Sequence, residues 1–125
     1  MPPEPGLAAE VELGVTNDDT AIAMRSGEVA VLATPRIVAL VEEATVLALG
    51  STLPAGCTSV GMRVQLDHLA PTAVGHTVRA EVTLERVEGR RLTFAVSVRD
   101  ERGLVAAGKV TRVVVETERF LDKAR

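Results

Sequence analysis

Three polar side chains stand where an aliphatic chain has little reason to put them. His68 closes a run in which Val60, Met62, Val64, Leu66 and His68 share one phase of a two-residue alternation, which puts the imidazole on the apolar face of a strand. Glu42 falls among Val38, Val46 and Leu49 when the segment 34–49 is wound as a helix at ~100° per residue. A carboxylate and an imidazole aimed into apolar layers are each costly unless paired, hydrated or used. Together they have the makings of acid–base chemistry. Thr34 opens the same helix about two turns, or ~12 Å, before Glu42. On a single helix those two cannot act on one atom. They converge only if the preceding loop folds back or a second subunit brings them together. Asp67 points away from His68 and is a poor partner for it.

Each residue also has a plainer reading. Thr34 suits an N-cap, Glu42 a wet helix edge, and His68 a strand end satisfied by backbone. His76 follows Gly75 at a loop exit and reads as exposed; Cys57 reads as a small loop residue. Glu85, Arg86, Glu88, Arg90 and Arg91 read as a solvated hairpin. Other chemistries lack their residues: one Cys and two His match no zinc spacing, and neither a phosphate-cradling glycine loop nor a G-x-S-x-G elbow occurs. No cofactor is expected.

The elements that must position these residues are legible in outline. Residues 1–7 form a Pro/Gly-rich lead-in expected to be mobile, 8–16 a first strand, and 20–25 a short helical turn with Asn17-Asp18-Asp19-Thr20 as capping chemistry. Thr34-Pro35 is a strong helix start and Gly50 a stop. Between them only Arg36, Glu42 and Glu43 are charged, so the helix reads as buried, with Arg36 and Glu43 marking a water edge. Four strands follow, over 58–68, 77–87, 91–99 and 104–116, with turns at Glu88-Gly89-Arg90 and Asp100–Gly103. One helix and five antiparallel strands make an α+β pattern, a sheet wrapped around one long central helix, which is the hot-dog arrangement.

Composition sets the outer bounds. The chain has 125 residues, room for one domain over 1–125. It is 46% hydrophobic, yet Phe94 and Phe120 are its only aromatic residues, so the core is aliphatic. A short aliphatic chain often hides apolar surface against its own copy, hence an expected homodimer. A net charge of −3 argues against nucleic acid. A lone cysteine, no apolar run of bilayer length and no basic leader read as a soluble, cytoplasmic protein without signal peptide or membrane partner.

The stretches ATPRIVALVEEA, VGMRVQLDHLAPTAVGHTV and LERVEGRRLTFAVSVRDERG resemble the fluoroacetyl-CoA thioesterase-like family of hot-dog proteins over roughly residues 10–120. The family spacing is Thr, then Glu eight residues on, then Gly and His seven apart, matched here by Thr34, Glu42, Gly61 and His68. Its late-strand Arg matches Arg112, in phase with Val110 and Val114. The resemblance implies hydrolysis of a short acyl-CoA thioester to free acid and CoA. Glu42 is then nucleophile or base for water, His68 acid/base, and Thr34 the group that positions acyl or water. Gly61 lets backbone approach the thioester oxygen, and Arg112 binds substrate. The plainer reading of Arg112 is a strand pair with Glu81 or Glu116. The fluoroacetate-selective members gate the site with Phe before this Thr; Arg25–Ala33 holds no aromatic residue, which points to another short acyl group.

Two other functions compete. A non-catalytic acyl-CoA-binding dimer keeps the fold and an arginine for the CoA phosphates (Arg79, Arg90, Arg91 or Arg112) without needing Glu42. A hot-dog enoyl-CoA hydratase needs an Asp-x-Asn-Pro-x-His stretch that is not found.

Overall fold

The computed structural model describes residues 2–125. Strands β1 (Ala8–Gly14), β2 (Cys57–His68), β3 (Thr77–Glu88), β4 (Arg91–Asp100) and β5 (Gly103–Glu116) form one antiparallel sheet in the order β1-β3-β4-β5-β2. Helix α1 (Thr34–Leu49) lies on one face. A short helix α2 (Thr117–Asp122), not anticipated from sequence, follows β5. This is the expected α+β hot-dog arrangement.

Alternation explains the core. Val78, Ala80, Val82 and Leu84 of β3 and Leu92, Phe94, Val96 and Val98 of β4 all point to the helix side and are buried. The register stacks Leu84 beside Phe94 and Phe94 beside Val110. Ile37, Leu40, Val41, Ala44 and Ala48 of α1 close over them. Full burial of each such aliphatic side chain stabilises by ~1.5–3 kcal/mol, so Leu40→Ala would cost ~2–5 kcal/mol.

Three local expectations need correction. The cap of α1 is Ala33, with Pro35 in the first turn; Thr34 is already helical and its hydroxyl is free for other work. The segment before it is a single 3-10 turn, Asn17–Asp19, followed by hydrogen-bonded turn rather than a helical turn over 20–25. Nor is α1 buried all round: Ala39, Glu43, Val46 and Leu47 face outward, Leu47 at 57% exposure, because five strands cover only one side of a helix. Arg36 and Glu43 do reach water, Arg36 while its guanidinium pairs with Asp19.

The end of the sheet formed by β2 matters most for the site. Among the described residues β2 pairs only with β5, so one side of a twelve-residue strand has no neighbour there. Its register with β5 slips between Gly61 and Arg63, where Met62 bulges. The slip breaks the alternation expected over 58–68. Val64, Leu66 and His68 face the helix, opposite Val110, Gly108 and Ala106. Before the bulge it is Gly61 and Ser59 that face it, opposite Arg112 and Val114, while Met62 is 47% exposed.

Candidate active site

The first cluster sits where the N-terminus of α1 meets the end of β2. Thr34 Oγ1 lies 2.7 Å from His68 Nδ1. The helix start is pinned by Asp19, whose carbonyl accepts the Ala33 N–H at 2.9 Å and whose Oδ1 accepts from Arg36 Nε at 3.0 Å. Asp19 Oδ2 accepts the Thr16 N–H at 2.8 Å and the Thr16 hydroxyl at 3.0 Å. Burial acts to raise the Asp19 carboxyl, but the Thr16 and Arg36 hydrogen bonds and the Arg36 charge outweigh it and hold the group below its usual range. On the far side of the imidazole, His68 Nε2 is buried and has no hydrogen-bond partner among the described residues. A shallow cleft of about 190 Å³ borders the ring, lined by Val31, Leu69, Ala70 and Pro71.

The second cluster lies further along the same strand. Arg112 is only 6% exposed, on the helix-facing side of β5. Its Nη1 reaches Glu42 Oε2 at 3.4 Å; Nε donates to Ser59 Oγ at 2.8 Å and Nη2 to the Ser59 carbonyl at 3.0 Å. Burial pushes the guanidinium below its ordinary value, and the Glu42 charge pulls the other way. The plainer pairing of Arg112 with Glu81 or Glu116 is therefore not formed. Glu42 is bracketed from beneath by Gly61: a Cβ there would collide with Glu42 Oε2. The absence of a side chain at Gly61 is thus what gives the carboxylate its place. About a third of the Glu42 side chain stays open to solvent on its remaining side.

All five residues singled out from sequence, Thr34, Glu42, Gly61, His68 and Arg112, fall on the helix–sheet face, but in two separate groups. No hydrogen bond joins Glu42 to His68. Along β5 the register partners of His68 and Gly61 are Ala106 and Arg112, six residues apart, which is ~20 Å of strand. Within one chain Glu42 pairs with Arg112 and His68 with Thr34. Sequence reasoning missed Ser59 and Asp19. Ser59 meets Arg112 only because of the bulge, which no periodicity announces, while Asp19 reads simply as a turn residue.

Among the other charges, Arg79 is held by Glu10 and Glu12 on β1. Arg90 and Arg91 are exposed at the β3–β4 hairpin. Arg90 borders a cleft of about 410 Å³ together with Arg119, Phe120 and Lys123 of the C-terminal segment. No cluster of His, Cys, Asp or Glu among the described residues has metal-ligand geometry.

Comparison with known proteins places these features in a family. The family model for fluoroacetyl-CoA-specific thioesterase matches residues 15–118. A fluoroacetyl-CoA thioesterase from Streptantibioticus cattleyicolor is 38% identical over 95 residues, covering 76% of this chain and 68% of that protein. The solved structure of a fluoroacetyl-CoA thioesterase superposes with a TM-score of 0.92 at 30% identity, covering 98% of this chain and 96% of the other. Related solved forms of that enzyme include a variant in complex with acetyl-CoA and another with fluoroacetate and CoA. A hot-dog-like protein from Thermanaerovibrio acidaminovorans superposes with a TM-score of 0.89 at 31% identity, covering 96% and 89% of the two chains. With the match spanning both the helix that carries Thr34 and Glu42 and the strands that carry Gly61, His68 and Arg112, this chain belongs to the fluoroacetyl-CoA-specific thioesterase family.

Proposed function

We propose that this chain hydrolyses a short-chain acyl-CoA thioester as a homodimer whose two sites lie across the subunit boundary. The observation that carries the reading is the split of the site: Thr34–His68 and Glu42–Arg112 sit ~20 Å of strand apart, on an edge strand with nothing on its outer side. If β2 pairs antiparallel with its own copy about a two-fold axis near Val64–Gln65, Gly61 of one subunit comes opposite His68 of the other. Glu42 then faces the buried, unpartnered His68 Nε2 of the neighbour. The same pairing satisfies the open edge and covers exposed Met62 and Leu69 beside it.

In that site each residue has work suited to its contacts. Glu42 either adds to the thioester carbon, giving a mixed anhydride that water then cleaves to the free acid, or takes a proton from the water that attacks that carbon directly; Arg112 keeps a positive charge against the carboxylate. The backbone N–H of Gly61 is the donor assigned to the developing oxyanion. The Thr34 hydroxyl fixes the imidazole through Nδ1, so that Nε2 hands its proton to the departing CoA sulfur as the C–S bond breaks. Arg112 is too enclosed to meet a CoA phosphate and Arg79 is already paired, which leaves Arg90 and Arg91, beside the cleft that Phe120 lines, for the polyanionic end. Arg25–Ala33 carries no aromatic residue to close over a fluoroacetyl group, so the acyl group is another short one. The described residues contain no helix long and apolar enough to cross a membrane, and Cys57 is unpaired; both accord with a cytoplasmic setting.

Subunit complementation tests the arrangement. Glu42→Gln and His68→Asn are each expected to be nearly inactive in thiol release from acetyl- or propionyl-CoA. Unfolded together and refolded as a mixture, they restore up to about a quarter of wild-type turnover, because half the dimers are mixed and each holds one intact site. No recovery would place Glu42 and His68 of each site in one subunit. Full activity in Glu42→Gln alone would remove Glu42 from the chemistry, whereas no thiol release by the wild type would favour the acyl-CoA-binding, non-catalytic reading.

A further inference from the structure

We propose that Ser59 is a positioning residue of this site, acting through Arg112 on Glu42; the inference rests on the thioesterase reading above. A guanidinium offers five N–H donors in a rigid fork. In this chain the Nε–Nη2 edge is spent entirely on one residue, with Ser59 Oγ at 2.8 Å and the Ser59 carbonyl at 3.0 Å. Two contacts to one residue fix the plane of the fork as well as its distance, and the end left over, Nη1, is the one that faces Glu42 Oε2.

The chemistry of the clamp is as telling as its geometry. Arg112 is buried, and a buried guanidinium without acceptors is strongly disfavoured. Ser59 supplies acceptors that carry no charge. A carboxylate in the same place would satisfy the fork equally well but would also neutralise it and draw it away from Glu42. With Ser59, the positive charge is stabilised and yet left for Glu42, the one carboxylate among the described residues within ion-pair distance of it. The bulge at Met62 makes this possible, since it puts Ser59 and Gly61 on the helix-facing side together. Ser59 therefore orients the fork from one side, and Gly61 leaves room for the carboxylate on the other.

The test is a set of variants assayed by thiol release from acetyl- or propionyl-CoA. Ser59→Ala is expected to lower kcat about tenfold or more, the scale of a misplaced reacting group, with KM within about twofold of wild type. Ser59→Thr, which keeps the hydroxyl, restores most of the loss. Ser59→Asp, whose carboxylate holds Arg112 more firmly, raises the melting temperature yet lowers kcat at least as far as Ser59→Ala. In a Glu42→Gln background, Ser59→Ala adds no further loss. If Ser59→Ala and Ser59→Asp turn over normally while Glu42→Gln is inactive, Ser59 is only structural and the proposal fails while the thioesterase reading stands. If Glu42→Gln itself turns over normally, the catalytic role of Glu42 and the proposal fall together; if the wild type releases no thiol, it is the thioesterase reading that fails.

Discussion

Replacing Gly61 by alanine asks the sharpest question of the geometry. A Cβ built at Gly61 overlaps Glu42 Oε2, lies 3.3 Å from Glu42 Cδ and 3.8 Å from Arg112 Nη1. Ordinary separations are ~3.5–4.0 Å, so the carboxylate must retreat by about an ångström or more. The retreat is cheap for folding, because what moves is the free end of a flexible side chain that is partly open to solvent. It is not cheap for the site: Arg112 Nη1 already stands 3.4 Å from Oε2, at the outer limit of a hydrogen bond, and any withdrawal parts them. A displacement of about 1 Å in a reacting group costs ~10²-fold in rate, or about 2.7 kcal/mol of barrier. The expectation is a Gly61→Ala protein that melts within a few degrees of wild type and whose kcat for acetyl-CoA or propionyl-CoA falls ~100-fold. Gly108→Ala serves as the contrast, since there the methyl would collide with the Gln65 backbone carbonyl and the damage should appear in the melting curve. A folded Gly61→Ala enzyme with kcat within about twofold of wild type would refute the reasoning that Glu42 works from its perch above Gly61.

Further outcomes follow from the same contacts. Glu42→Gln and His68→Asn should each lower kcat by ~10²-fold or more while the protein stays folded; a solvated, idle Glu42 would leave turnover nearly unchanged. Light scattering at micromolar concentration should give twice the chain mass, and a monomer would contradict the shared site. The Arg90→Ala/Arg91→Ala double variant should raise KM for acyl-CoA several-fold with kcat little changed, and an unaltered KM would remove both from the CoA end. For Asp19 the folded carboxyl titrates below the ordinary 3.8. Its contribution is therefore complete above that pH and is lost as pH falls through the lower folded value. Melting curves of Asp19→Asn against wild type should thus differ most near neutrality and converge in strong acid; a gap that persisted there would mean that the carboxylate charge is not what holds the start of α1.

What the sequence determined by itself was the set of elements and most of the chemistry-bearing residues. The helix over 34–49 and the strands β2 to β5 are written in local periodicity, because side-chain direction in a regular element depends only on spacing; that β2 pairs with β5 and not with the next strand in sequence is not. Inward-facing Glu42 and His68 stand out for the same reason. Tertiary structure alone decided how those residues are grouped. The bulge at Met62 reverses the alternation half-way along β2, and with it the faces of Ser59 and Gly61; nothing in the pattern of Val60, Met62 and Val64 foretells it. The ion pair of Glu42 with Arg112 joins positions 70 residues apart, and its geometry depends on the β2–β5 register, which no local window contains. The sequence also leaves open that Thr34–His68 and Glu42–Arg112 occupy two stations along one strand. Only the folded sheet shows their separation, because distance between side chains on different elements is set by register and packing rather than by spacing along the chain.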